Sequence, residues 1–250
     1  MKNKLFWQRA GAVLFALVLW QFAAMALGQQ LLLVTPVKVA GRLAELVRES
    51  AFWQTVGFSF WRIVAGFLLA LIAGAVLGAL SARVHAIEVL LWPFIVAVKS
   101  VPVASFIILS LIWLQASSLS VFISFLMVFP VVYFNTLQGM QATDRQLVEM
   151  AHLFKVPWRR RLLYIYLPQL QPFLLSACSV ALGMSWKAGI AAEVIGIPSG
   201  SIGEQLYEAK VYLSTADLLS WTVVIVLVSV LFEKLFITLL KRAFAGLERL

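Results

Sequence analysis

Charge is scarce in this sequence. Only 12% of its 250 residues are charged, against 62% hydrophobic, and the mean hydropathy is +0.96. That balance excludes an ordinary water-soluble domain. Cysteine is nearly absent: Cys178 stands alone inside an apolar run, so neither an intrachain disulfide nor a thiolate metal site is available. The two histidines, His85 and His152, have metal-ligand spacing to nothing, and no metal site is expected. No G-x-x-x-x-G-K-[ST] loop occurs, so any ATP this protein depends on must be bound by another chain. Aspartate and glutamate are missing from the centres of the long apolar runs, since Glu88, Glu193 and Glu233 fall toward their ends. An ion-coupled secondary transporter usually keeps a buried acid at mid-span, so that reading is the weaker alternative. An intramembrane enzyme would need a nucleophile and base in register, and none is found.

What the chain does have is long apolar stretches. Spans are expected at about Gly11–Leu27, Phe58–Leu80, Ile87–Leu114, Leu119–Leu137, Leu170–Ala192 and Leu218–Leu240, each near the roughly 20 residues that cross a bilayer. The third is interrupted at Ser100-Val101-Pro102. A break in lipid survives only beside protein or a wet cavity, so it should point toward the bundle interior. The amino terminus imitates a secretory signal, with Lys2, Lys4 and Arg9 before an apolar run ending Ala24-Met25-Ala26. An uncleaved span is the better reading, because cleavage would leave an odd number of crossings.

Basic residues give the orientation. With both termini inside, the inner side receives Lys2, Lys4, Arg9, Arg83, Arg145, Lys155, Arg159, Arg160, Arg161, Lys241, Arg242 and Arg249. The outer loops receive Lys38, Arg42, Arg48 and Lys210, balanced by Glu45, Glu49, Glu204 and Glu208. The net charge of +9 then reflects loops facing anionic lipid and calls for no nucleic acid.

One polar stretch, Thr143 to Pro168, is too long for a simple turn. Thr143 with Gln146 fits a capping box that opens a helix through Phe154. Leu147, Met150, Ala151 and Phe154 share one face, and Arg145, Glu149 and His152 another. Pro157 suits the start of a second helix, Trp158 to Tyr166, with Leu167-Pro168 leading into the next span. Such an amphipathic element at a membrane face is suited to a soluble partner.

Glu149-Met150-Ala151 followed by Ile165-Tyr166-Leu167-Pro168 resembles the "EAA" loop of binding-protein-dependent ABC importer permeases. The family pattern is E-A-A, three residues, G, nine residues, I-x-L-P. Met150 and Lys155 depart from it; without the glycine, the turn is expected at Val156-Pro157. Further pieces resemble the nitrate, sulfonate and taurine branch: Ser59-Phe60-Trp61-Arg62-Ile63-Val64-Ala65-Gly66-Phe67, Lys99-Ser100-Val101-Pro102, Phe129-Pro130-Val131-Val132-Tyr133-Phe134-Asn135-Thr136 and Ala192-Glu193-Val194-Ile195-Gly196. The resemblance implies an all-α membrane protein of about six transmembrane helices with a cytoplasmic coupling-helix loop, in a bacterial inner membrane. It divides the chain into an N-terminal helix and outer amphipathic segment (1–54), the importer transmembrane domain (55–240) and a cytoplasmic tail (241–250). It further implies a non-enzymatic subunit working with a cytoplasmic ATPase dimer that holds ATP and Mg, an extracytoplasmic solute-binding protein and a second copy of itself. A small anion resembling nitrate, sulfonate, taurine or bicarbonate is the expected solute; a vitamin precursor is the alternative. No cofactor is expected on this chain.

Docking to the ATPase would then fall to Arg145, Leu147, Glu149, Met150, Ala151 and Phe154. The candidate path residues are Lys99, Trp186, Lys187 and Glu193. An ammonium near an apolar stretch is costly unless it meets water or a partner, so Lys99 either faces an aqueous path or binds carbonyls freed by the break. Lys187 either faces the path or snorkels outward, and Arg62 is expected to snorkel. Glu193, near Gly189, Gly196, Gly200 and Gly203, belongs either to an outer gate or to a flexible loop. Ala70, Gly74 and Gly78 form a small-residue ridge for close packing, within the subunit or between subunits. Pro36 to Phe52, with Val39, Leu43, Leu46 and Val47 at helical spacing, reads as a helix on the outer surface, where a binding protein could also touch it.

Overall fold

The computed structural model describes residues 2–29 and 32–247. Arg249 and the side chains of Lys2, Lys4 and Arg9 lie outside what it describes. The described residues form helices α1 (Lys2–Leu27), α2 (Pro36–Leu46), α3 (Ser50–Ser81), α4 (His85–Ser100), α5 (Val103–Ser110), α6 (Ala116–Gln141), α7 (Arg145–Leu153), α8 (Trp158–Arg161), α9 (Leu167–Gly196), α10 (Ile202–Val211) and α11 (Thr215–Leu247). A π-helical turn, Leu162–Tyr166, joins α8 to α9 without interruption. Five helical stretches are long and apolar enough to cross a membrane, the fourth being the whole of Trp158–Gly196. The bent pair α4 and α5 would make a sixth.

Helix α6 is the axis of the bundle. Its buried residues recur all round it, from Leu119 through Phe129 and Tyr133 to Met140, the mark of a helix enclosed by others. Small residues let α3 lie close to it. A methyl at Gly74 would meet Val132 Cβ at 2.9 Å, and one at Gly78 would meet Tyr133 O at 2.7 Å. The ridge predicted at Ala70, Gly74 and Gly78 therefore packs inside the subunit, and Gly66, against Val121 O, extends it. Tyr133 donates its hydroxyl to Ser81 Oγ at 2.9 Å, buried between the same two helices. Helix α6 also meets α9, in a core that includes Val128, Cys178, Ala181 and Leu182. Phe67, Phe232 and Phe236 interlock α3 with α11, with ring centroids 5.0–6.3 Å apart. Outside these contacts, α1 and α11 leave most of their apolar surface open, as lipid-facing helices do.

In the helical frame the structure sharpens one sequence expectation and departs from three. The third span is interrupted where expected, at 100–102, but sharply: α4 and α5 meet there at 105°, and α4 alone, at about 24 Å, falls short of the roughly 30 Å hydrocarbon core. The glycine-rich region is not broadly irregular; its non-helical part is residues 197–201, and α10 follows. Helix α2 is fastened to α11 rather than lying free. Arg42 donates to Asp217 at 2.5 Å and to Glu45 at 2.9 Å, and these bonds, Asp217 first, raise the guanidinium pKa further above its ordinary range. Ser220 Oγ also donates to Val39 O at 3.3 Å, and the predicted stripe holds at Val39 and Leu46 but leaves Val47 exposed. Arg62, finally, does not snorkel. It donates to the Ser117 carbonyl and lies 3.8 Å from the Phe58 ring centroid.

Candidate functional site

Two features outside the packed core present unusual chemistry. The first is a cavity of about 580 Å³ on the α4–α6–α9 side of the subunit. Val98, Lys99 and Val101 bring the end of α4 to it; Met127, Pro130, Val131, Phe134, Asn135 and Gln138 line it from α6, and Met184 from α9. Val101, within the 100–102 break, thus borders the cavity. The Lys99 ammonium sits 4.7 Å from the centroid of the Phe134 ring, a cation–π contact, and not on the carbonyls freed by the break. Asn135 donates to Val131 O at 2.8 Å, which leaves its carbonyl oxygen available. One ammonium and two amide side chains on an apolar wall suit a small polar solute.

The other proposed path residues are elsewhere. Lys187 is exposed on α9, one turn beyond Met184, but does not line the cavity. Trp186 is turned inward, against Phe60 in the core around Ile190 and Trp221, and its Nε1 has no acceptor. Glu193 is 0% exposed, which corrects both a solvated loop glutamate and an open position for it. Its Oε2 accepts from Ser59 Oγ at 2.7 Å and from Gly203 N at 3.4 Å. Ser59 Oγ in turn accepts from Ile202 N at 2.9 Å. The carboxyl thus sits on the first amides of α10, where a helix stabilises negative charge. Ser120 and Arg62 also act on it, although neither Glu193 Oε1 nor Ser120 Oγ completes a hydrogen bond of standard geometry. The sequence pointed to Glu193 but gave no sign that Ser59 and Gly203 hold its carboxyl in place.

The second feature is α7, projecting between α6 and α8. Its cap is Asp144, not Thr143. Asp144 Oδ1 accepts from Gln146 N at 2.8 Å, while Thr143 is buried and donates to Gly139 O at 3.3 Å. Asp144 N donates to Gln169 Oε1 at 3.0 Å, tying the start of α7 to α9. Of the predicted apolar face only Ala151 is buried. Leu147 and Met150 are exposed, and so are Phe154 at 76% and Leu153 at 81%, a residue the pattern missed. Arg145 and Glu149 are exposed and enter no ion pair among the described residues. A nine-residue helix that, with its C-cap Phe154, shows four large apolar side chains to solvent has the makings of a contact surface.

Lys155 reverses the expectation about the turn. It takes φ +50° itself, and the chain closes α7 with a Schellman pair: Val156 N to Ala151 O at 2.9 Å and Lys155 N to His152 O at 3.0 Å. Lysine therefore occupies the left-handed position that the family pattern gives to glycine. Lys155→Gly is expected to steady the end of α7 by roughly 1 kcal/mol, or about fivefold slower amide exchange there. Unchanged exchange would show that the strain is relieved elsewhere.

Comparison with known proteins agrees with this arrangement. Residues 70–246 match the family described as binding-protein-dependent transport system inner membrane component. The aliphatic sulfonates transport permease protein SsuC of Bacillus subtilis is 26% identical over 90% of this chain and 82% of its own length. The formylaminopyrimidine transport permease protein ThiX of Halalkalibacterium halodurans is 25% identical over 75% of each chain. Taurine transport system permease protein TauC of Escherichia coli is 25% identical over 86% of this chain and 80% of its own. A helical bundle of this form, matched over most of its length, is a multi-pass membrane protein and not an enzyme. The chain belongs to the family of binding-protein-dependent ABC importer permeases and is the permease subunit of such a transporter, a system that also comprises an ATPase and a solute-binding protein.

Proposed function

We propose that this subunit, paired with a second copy, forms the membrane path for a small anion and is driven through α7 by a cytoplasmic ATPase dimer that binds ATP and Mg. The observation that carries the reading is the exposed apolar face of α7, flanked by Arg145 and Glu149, which enter no ion pair among the described residues. Arg145, Leu147, Glu149, Met150 and Phe154 form the contact, and buried Ala151 fixes the helix to its support. The α7 end faces the cytoplasm, since it gathers Arg83, Arg145, Lys155, Arg159, Arg160, Arg161, Lys241 and Arg242. Closure of the ATPase pair draws the two α7 helices together and rocks the spans as rigid bodies. A binding protein delivers the solute at the opposite face, beside α2 and α10.

Relatives named for sulfonates and taurine support an anionic solute, as does the Lys99 ammonium at the cavity. A formylaminopyrimidine permease among the relatives is the argument for a vitamin precursor, but an apolar cavity with a cation suits an anion better. The test is ATP hydrolysis by the reconstituted complex, which loaded binding protein should stimulate. In the same vesicles Lys99→Ala should lower anion uptake about tenfold, the worth of one charge-assisted hydrogen bond, with ATPase assembly intact. Unaltered uptake would remove Lys99 from the path.

A further inference from the structure

A second cationic cluster lies apart from the cavity and from the apolar face of α7. Arg83, in the turn between α3 and α4, lays its guanidinium 3.3 Å from the centroid of the Trp158 ring. Arg161 approaches the same indole at 5.7 Å, so one aromatic ring gathers two cations from separate segments. Arg161 is held further by His152, with Nη1 and Nε2 2.7 Å apart, and its Nε has no acceptor. Arg159 and Arg160 are exposed beside them. None of these four arginines pairs with a carboxylate among the described residues.

Like charges collected without counter-charge need an external anion, and guanidinium forks match phosphate oxygens in geometry. The next turn says where that anion comes from. Leu162, Leu163 and Tyr164 are exposed and lipophilic, and with Trp158 they lie in the first turns of the apolar stretch Trp158–Gly196, long enough to cross a membrane. The cluster therefore stands where an acyl surface gives way to headgroups, the level at which tryptophan and tyrosine also concentrate.

We propose that Arg83, Trp158 and Arg161 bind the phosphate of an anionic lipid headgroup, fastening the α3–α4 turn and α8 to the bilayer surface. The test measures retention of phosphatidylglycerol against phosphatidylcholine by native mass spectrometry, on the full chain released from mixed micelles. Arg83→Gln with Arg161→Gln should weaken phosphatidylglycerol binding about 30-fold. Lys241→Gln with Arg242→Gln, which removes equal charge from the same end, should leave it unchanged. Equal retention by wild type and site variant overturns the proposal. So does displacement of the lipid by millimolar inorganic phosphate, which would mark a site for free anions. Retained lipid with lost ATPase binding would assign the patch to a protein partner instead, and also overturns it. Should the double variant fail to insert, Arg83→Lys keeps the charge and loses the planar stacking; several-fold weaker binding is expected, and unchanged binding again refutes the site.

Discussion

Alanine at Gly203 should unseat α10 from the bundle. Its methyl group would collide with the Glu193 carbonyl carbon and Cβ and stand 2.5 Å from Val194 N. Two of these are backbone atoms in the last turn of α9, which cannot swing aside as a side-chain tip would. Relief requires the start of α10 to move, and that movement breaks the bonds from Gly203 N to Glu193 and from Ile202 N to Ser59. A carboxyl already short of one partner is then left buried with a single hydroxyl donor. Overpacking and lost buried hydrogen bonds together should cost about 3 kcal/mol or more. Thermal unfolding in detergent would measure it, with Gly183→Ala as control, since a methyl there meets nothing within 4 Å. Equal unfolding temperatures for the two variants would show that α10 is not held by this contact.

Arginine at Glu149 should leave the fold untouched and stop transport. The side chain is exposed and unpaired among the described residues, so reversing its charge removes no internal interaction. At an interface centre, a charge reversal beside Met150 and Phe154 should weaken ATPase binding by 2 kcal/mol or more, about 30-fold. Uptake in vesicles and co-purification of the ATPase should fall together while membrane insertion stays normal. Full uptake by Glu149→Arg would refute the docking role of α7.

The spans were legible because hydropathy is a local property: runs such as Phe58–Leu80 and Leu119–Leu137 need no knowledge of their neighbours. Pro102 likewise announced the break, since proline and the residue before it resist helix. What proved illegible depended on distant partners. Glu193 looked like a gate or a loop residue until Ser59, 134 positions away, supplied its donor. The polar wall of the cavity left a fainter trace. Asn135 and Gln138 lie one turn apart at the end of a largely apolar run, but only the fold shows that both face the cavity. Lys155 misled for a different reason: a left-handed lysine is costly, so the pattern favoured the neighbouring Val156-Pro157, yet the closing bonds of α7 hold it there. Thr143 shows the same limit at smaller scale. Either it or Asp144 could cap a helix, and only the buried Gly139 carbonyl decides between them.

The unbroken run from Trp158 to Gly196 makes a beam about 58 Å long. One end is roped to α7 through Gln169, and the other carries Glu193 and, through it, the opposite rim. If the loop is pulled as proposed, this run carries the displacement to its far end as one rigid body, with no relay of small side-chain shifts in between.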